Sequence, residues 1–240
     1  MNSRDTSSRS VPASRGEGPP GDKLSLPEKA YYEIKRRILD NEFSSGSFRL
    51  EKELAELLDM SRTPVREAMI RLANEGLVEI RPRHGMRVLP VSAEDMVEIY
   101  DVLTALETQA VELLARRGLS DQELGQLMDA VDEMDDALAD DDLTRWAAAD
   151  ERFHLLLVEL CGNRRIATIV NTYWDQSHRV RMLTLGLRPR PTSSNNDHRA
   201  VVQAIQNGDV IAARDHHREH RVNSGRMLVE LLDKYGLSSI

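Results

Sequence analysis

The sequence predicts a mostly α protein in two parts: an N-terminal winged helix-turn-helix and a C-terminal all-α helical bundle of six or seven helices. Three observations carry this expectation. Three apolar-striped segments before residue 76 lead into two short extended segments around Pro82-Arg83-His84-Gly85. After Ser92 the apolar residues recur with a helical period, and no alternating strand pattern interrupts them. The charge divides at the same place. Residues 22–92 hold 13 Lys/Arg against 12 Asp/Glu, whereas 93–240 hold 16 against 26, so the net charge of −8 resides in the second part. A near-neutral first part can still gather cations on one face, and such a face governs non-specific DNA affinity.

Residues 1–22 are rich in Ser, Gly, Pro and Arg with little to bury, which predicts a disordered arm. A basic tail touching DNA is the alternative. Residues 23–92 are then the winged domain and 93–240 the bundle. A chain of 240 residues can build real cores, and 40% apolar with 30% charged residues fits a globular protein. The longer apolar runs are interrupted, as Met227 to Leu232 is by Glu230, so no bilayer-spanning segment is expected. Neither is a charged-then-apolar leader expected. The single Cys161 excludes an internal disulfide framework and fits a reducing cytoplasm.

In the first part, Pro27-Glu28 can open a helix whose inner face is Ala30, Ile34 and Ile38. Gly46 breaks the next stretch, and Leu50, Leu54, Leu57 and Leu58 mark a short second helix. Asp59-Met60 is a turn, Ser61 an N-cap, and the third helix runs from Arg62 to about Asn74 before Gly76. Pro64 falls in the first turn, where a missing N–H costs little. Leu77 to Arg81 and Met86 to Pro90 read as a hairpin with a basic tip. In the second part, Ser92 with Asp95 caps a helix to about Arg117, and further helices are expected over 121–139, 143–161, 164–186, 195–207 and, after a Gly208-Asp209 break, to about 235. The inward face of the 164–186 helix is expected to include Ile166, Ile169, Val170, Tyr173, Val180 and Leu183.

The run Ser61-Arg62-Thr63-Pro64-Val65-Arg66-Glu67 places polar residues at a helix N-terminus, the end that a recognition helix presents to DNA. Arg62 and Arg66 are four apart and share a face. A guanidinium can donate two bonds to guanine O6 and N7, which discriminates by about 1–3 kcal/mol. Ser61 and Thr63 suit phosphate oxygens, Lys52 on the preceding helix suits the DNA backbone, and Arg83 and His84 at the hairpin tip suit a minor groove or phosphates.

A second constellation is polar where it should be apolar. The stripe Leu143, Trp146, Ala147, Phe153, Leu157 and Leu160 also carries Asp150 and His154, four residues apart. A carboxylate and an imidazole in a core are costly unless paired or metal-bound. His198 opens a later helix, and the row Ala213, His217, His220, Ser224, Met227 and Leu231 brings His220 inward. Asp150, His154, His198 and His220 together suit a divalent cation such as Zn²⁺ or Ni²⁺ with one or two positions open. A plain buried Asp–His pair is the alternative, and His216 could replace one ligand or belong to a separate surface site. His178 has no evident partner.

These motifs resemble known families. Leu50-Glu51, Glu53-Leu54-Ala55, the Ser61-to-Ala68 run, Leu72, Glu75-Gly76-Leu77-Val78 and Gly85 resemble the DNA-binding domain of the GntR family of bacterial regulators. Asp59 stands where Gly is common. Asp150-Glu151-Arg152-Phe153-His154, Gly162-Asn163, Asp197-His198, Ala204-Ile205, Gly208-Asp209 and His220 resemble the helical effector domain of its FadR/VanR-like (FCD) branch. The resemblance implies DNA contacts from Lys52, Ser61, Arg62, Thr63, Arg66, Arg83, His84 and Gly85, binding as a homodimer to a palindromic operator, and repression as the commoner outcome. It also implies a metal on Asp150, His154, His198 and His220 whose free positions take the carboxylate of a small organic acid. Leu103 stands where that branch often has an effector-binding Arg, so Arg152, Arg179, Arg181, Asn195 and Asn196 become the candidate effector contacts.

Two other readings stay open on the residues alone. One is a metal-dependent hydrolase with a DNA-binding appendage, against which no second carboxylate is evident beside the histidines. The other is a metal sensor, or a structural metal site, without an organic effector.

Overall fold

Helix α1 (Leu26–Leu39) begins where Ser25 and Glu28 cap one another: the Ser25 amide donates to the Glu28 carboxylate at 2.8 Å, and Pro27 sits in the first turn. This is a computed structural model, and it describes residues 24–236. The arm expected over residues 1–22 lies outside the described residues. Ala30, Ile34 and Ile38 are fully buried on the inner face of α1. A two-residue strand β1 (Phe48–Arg49) follows, then α2 (Glu51–Leu57) and α3 (Arg62–Asn74). Strands β2 (Val78–Arg81) and β3 (Gly85–Val88) make the expected hairpin, and β3 lies between β1 and β2, antiparallel to both. Strand β1 is too short to show a period, so it was not foreseen.

Asp59 turns the chain between α2 and α3 with φ 51. This is the left-handed region, which Gly enters freely and Asp tolerates better than most residues. The substitution of Asp for the common Gly therefore keeps the turn.

The second part contains six α-helices among the described residues: α4 (Ala93–Arg117), α5 (Asp121–Ala139), α6 (Leu143–Leu160), α7 (Arg164–Leu183), α8 (Thr192–Gln206) and α9 (Val210–Lys234), with a 3-10 turn over Leu185–Leu187. Caps set the starts. The Ser92 and Ser120 hydroxyls accept from the amides of Asp95 and Glu123, and the side chains of Asp142, Asn163 and Asp209 cap α6, α7 and α9. Each helix lies within three residues of its expected ends. Ile169 and Leu183, expected inside, are 42% and 47% exposed. The buried face of α7 instead runs through Ile166, Val170, Trp174, Ser177 and Arg181, and its polar members hide it from an apolar pattern.

Two apolar cores result. One gathers Ile34, Leu54, Leu72 and Met86 around α1–α3 and the hairpin, and the other gathers Leu103, Leu127, Phe153 and Trp174 in the bundle. Helix α7 reaches from the second to the first. Gln176 Nε2 donates to the Glu75 carbonyl at 2.8 Å, and Arg179 donates to Asn41 Oδ1 at 3.1 Å. Lys35 Nζ meets Asp175 Oδ2 at 2.6 Å and Glu75 Oε2 at 3.1 Å in a largely buried trio. Burial would lower the Lys35 pKa, but Asp175 outweighs it and the ammonium is held charged.

Candidate nucleic-acid interface and metal centre

The winged part presents one cationic concavity. Lys52, Arg62, Arg66, Arg83 and Gly85 all line a cleft of ≈ 460 Å³ between α2, the start of α3 and the hairpin. Lys52, Ser61, Arg62, Thr63, Arg66, Arg83 and His84 are exposed. Arg66 Nε donates to Glu51 Oε2 at 2.8 Å, a surface pair of little net worth that a stronger acceptor can displace. Gly85 has a structural reason to be Gly. Its φ is +79, and a Cβ there would fall 2.1 Å from the Arg49 carbonyl oxygen, so any side chain would prise β3 from β1.

In the bundle, α6, α8 and α9 bring Asp150, His154, His198 and His220 together, all at least nine-tenths buried. His198 Nε2 stands 3.1 Å from His220 Nε2, and Asp150 Oδ1 lies 3.7 Å from His198 Nε2 and 3.9 Å from His154 Nε2. The three histidines can offer nitrogens that all lie within 4.8 Å of one another. Ligand bonds of about 2.0–2.2 Å put neighbouring donor atoms roughly 3–3.5 Å apart, so this set fits one divalent ion after small adjustments.

The ring tautomers favour the same fit. His154 Nδ1 is 2.8 Å from Glu107 Oε2, and His220 Nδ1 is 3.4 Å from Asp197 Oδ2. A carboxylate only accepts, so each Nδ1 carries the proton and each Nε2 turns a lone pair to the cluster. Burial pushes the His198 pKa far down, helped by His220 and His154, and burial also lowers His154 against the opposing pull of Glu107. Neutral imidazole is the ligand form.

Glu107 was not anticipated. It is fully buried on α4, and it accepts from Trp174 Nε1 at 2.8 Å while His217 Nε2 lies 3.1 Å away. Burial would raise its pKa, but Arg221, His154 and His217 outweigh that and hold the carboxyl well below the usual range. The expectation that no second carboxylate stands beside the histidines is thus corrected. Glu107 is spent on hydrogen bonds that orient rings, which leaves it poorly suited to act as a general base. Glu107, His154 and His217 also form a second possible donor group. His178 likewise has a partner, Glu151 Oε2 at 3.2 Å from its Nδ1. His216 is exposed, and the buried neighbour is His217.

These titrations carry a sign. Burial pushes His217 down to about 4 from 6.5, with Glu107 opposing. Below pH 6.5 the unfolded chain takes up protons that folded His154, His198 and His217 refuse, so their share of stability is present above 6.5 and lost as pH falls towards 4. Urea unfolding of metal-free protein should therefore show a lower midpoint at pH 5 than at pH 7. An equal or higher midpoint would contradict this assignment.

A cavity of ≈ 310 Å³ opens beside Asp150, His154 and His220. Arg181, Arg188 and Arg221 line it together with Trp146 and Ser224. Arg181 donates to Asp150 Oδ2 at 2.7 Å, and its guanidinium carbon lies 3.8 Å from the Trp174 ring centroid. Of the five candidate effector contacts, Arg181 lines this cavity. Arg179 is buried against the winged part, and Arg152 lies on α6 away from the cavity lining. Asn195 is buried, bonding Trp146 at 2.8 Å and Asp135 at 2.6 Å, while Asn196 is exposed.

Residues 26–88 match the bacterial regulatory proteins of the gntR family, and residues 98–223 match the FCD domain. The chain belongs to the GntR family, in its FCD branch. This GntR-family regulator is 45% identical over 131 residues to an HTH-type transcriptional regulator from the TAR-I ttuE-ttuC' intergenic region of Agrobacterium vitis, spanning 54% of this chain and 77% of that one. It is 26% identical over 194 residues to the gluconate operon transcriptional repressor of Bacillus subtilis (strain 168), spanning 78% of each. E. coli McbR/YncC shares the fold with a TM-score of 0.74 at 20% identity, over 87% of this chain and 99% of that chain. Membership of a family of DNA-binding transcription regulators displaces the hydrolase alternative. No described helix is long and apolar enough to cross a membrane.

Proposed function

We propose that this chain is a homodimeric repressor of the cytoplasm, with a winged domain over 23–92 that holds a palindromic operator and a bundle over 93–240 that releases it. Release follows when a small organic acid enters the cavity of the bundle. The observation that carries the reading is the convergence of Asp150, His154, His198 and His220 beside a cavity lined by arginines. These four would hold a divalent ion, Zn²⁺ or Ni²⁺ first by their chemistry, which when bound offers open positions to an effector carboxylate. The chain's own residues do the rest. Glu107 and Asp197 fix the rings, and Arg181 holds Asp150. Helix α7 carries Arg181 at the cavity and Asp175, Gln176 and Arg179 at the winged part, so a shift of α7 reaches the recognition helix. Such coupling requires that the effector bind the two arrangements unequally.

Lys52, Ser61, Arg62, Thr63, Arg66, Arg83, His84 and Gly85 are the proposed DNA contacts, with the start of α3 in the major groove. For dimerisation, a groove of ≈ 610 Å³ on the outer face of α4 and α9 combines Val97, Ala105, Val222 and Val229 with Asp101, Glu230, Arg218 and Arg226. Both signs of charge on one face suit a two-fold pairing of copies. Repression is supported by the likeness to the gluconate repressor.

Selection of fragments from the protein's own genome, followed by fluorescence anisotropy, tests the reading. The fragments recovered should be palindromic, binding should steepen at low salt, and organic acids should weaken it only in metal-loaded protein. A change on chelation with no further response to acids would establish metal sensing instead. Equal affinity for a selected fragment and random duplex would end the proposal.

A further inference from the structure

Leu103, expected above to leave α4 without an effector-binding arginine, is fully buried in the bundle core. The cavity nevertheless has a buried guanidinium, supplied by a different helix. Arg221 follows His220 on α9 and lines the same cavity. It is 2% exposed, yet its Nε and Nη2 meet no hydrogen-bond partner. The Glu107 carboxylate balances its charge from 3.6 Å, beyond hydrogen-bond reach. Aromatic rings form its shelf: the guanidinium carbon lies 4.6 Å from the Tyr100 centroid and 5.3 Å from that of Trp174. Gly225 makes the shelf possible, because a Cβ there would lie 2.7 Å from a Tyr100 ring carbon. Arg221 also borders the outer groove between α4 and α9, the face that the proposed dimer covers.

The neighbouring cations are more fully engaged, although Arg188 Nε also lacks a partner. Arg181 serves Asp150, and Arg188 Nη2 donates to the Arg181 carbonyl at 2.6 Å and to Thr184 Oγ1 at 3.0 Å. Arg221 is therefore a cation held in place with donors unspent. Buried donors without acceptors destabilise a fold, and Glu107 offsets the charge of Arg221 without accepting from its Nε or Nη2. A ligand that accepts from the fork removes that cost, and the planar fork matches a carboxylate with two parallel bonds.

We propose that Arg221 anchors a second acidic group, so that the effector is a compact dicarboxylate with one end towards Asp150, His154 and His220 and the other on Arg221. This rests on the effector site described under the proposed function. A cavity of ≈ 310 Å³ has room for a small dicarboxylate and its bound water. Calorimetric titration of the full chain with succinate and with butyrate, which has the same chain length and one carboxylate fewer, tests it, with the metal content of each sample measured. Wild type should bind succinate at least about tenfold more tightly than butyrate. Arg221→Met, compared with wild type at equal metal loading, should bring the two within about twofold by losing succinate affinity. Should Arg221→Met not fold by circular dichroism, Arg221→Gln carries the same expectation. An unchanged ratio in the folded variant, or no preference in wild type, overturns the proposal. A wild-type preference for succinate without any bound metal would sink the metal reading and leave the role of Arg221 standing.

Discussion

Glu107→Ala is expected to lower the melting temperature of the metal-free chain by on the order of 10 °C. The carboxylate is completely buried, and its removal strands the Arg221 charge, the Trp174 indole N–H and the proton-bearing nitrogens of His154 and His217. Removing one partner of a buried charged pair costs about 3–5 kcal/mol, and a chain of this size moves about 2–4 °C per kcal/mol. Metal affinity should fall about 10- to 100-fold as well, because the group that orients His154 is lost. Glu107→Gln keeps the volume and part of the hydrogen bonding, so it should recover much of the stability but less of the metal affinity. Differential scanning calorimetry and a metal competition titration check the two effects separately. A melting temperature within about 2 °C of wild type in Glu107→Ala would contradict the role assigned to the carboxylate.

The second large effect concerns DNA. Arg62→Ala is expected to cost a dimer about 2–6 kcal/mol of specific affinity, from two guanidinium–base contacts of about 1–3 kcal/mol each. Non-specific affinity should fall much less, since that reflects charge alone. Lys52→Ala should weaken specific and random duplex alike and reduce the salt slope. Both side chains are exposed on the same cleft, so neither change should disturb folding. Anisotropy with a selected fragment and a scrambled duplex separates the cases. Equal losses on both duplexes for Arg62→Ala would remove it from base recognition.

The helices were legible because their ends are written locally. Ser92 with Asp95 and the break at Gly118 fix the ends of α4 whatever the tertiary context. The proximity of Asp150 and His154 was legible for a similar reason, as polar residues on an apolar stripe must point inward. The same logic finds Glu107, which lies on the buried face of α4 with Leu103, Ala110, Val111 and Leu114, but a lone Glu between apolar neighbours is easily taken for a surface residue. His217 stood in the inward row of α9, and only its meeting with Glu107, 110 residues earlier, gives it a role. Arg179 and Arg221 could not be placed from pattern. Each is buried by partners distant in sequence, across to the winged part for Arg179 and onto the Tyr100–Trp174 shelf for Arg221. Ile169 and Leu183 mislead in the opposite sense, since apolar residues beside a stripe need not belong to it.

The account stands or falls on whether the buried cluster of the bundle holds an ion. Native mass spectrometry with elemental analysis, on protein purified without chelator or affinity metal, should find one divalent ion per chain in wild type and none in folded His198→Ala. Wild-type protein that stays metal-free when offered Zn²⁺ or Ni²⁺, or a His198→Ala variant that retains the full ion count, would contradict it.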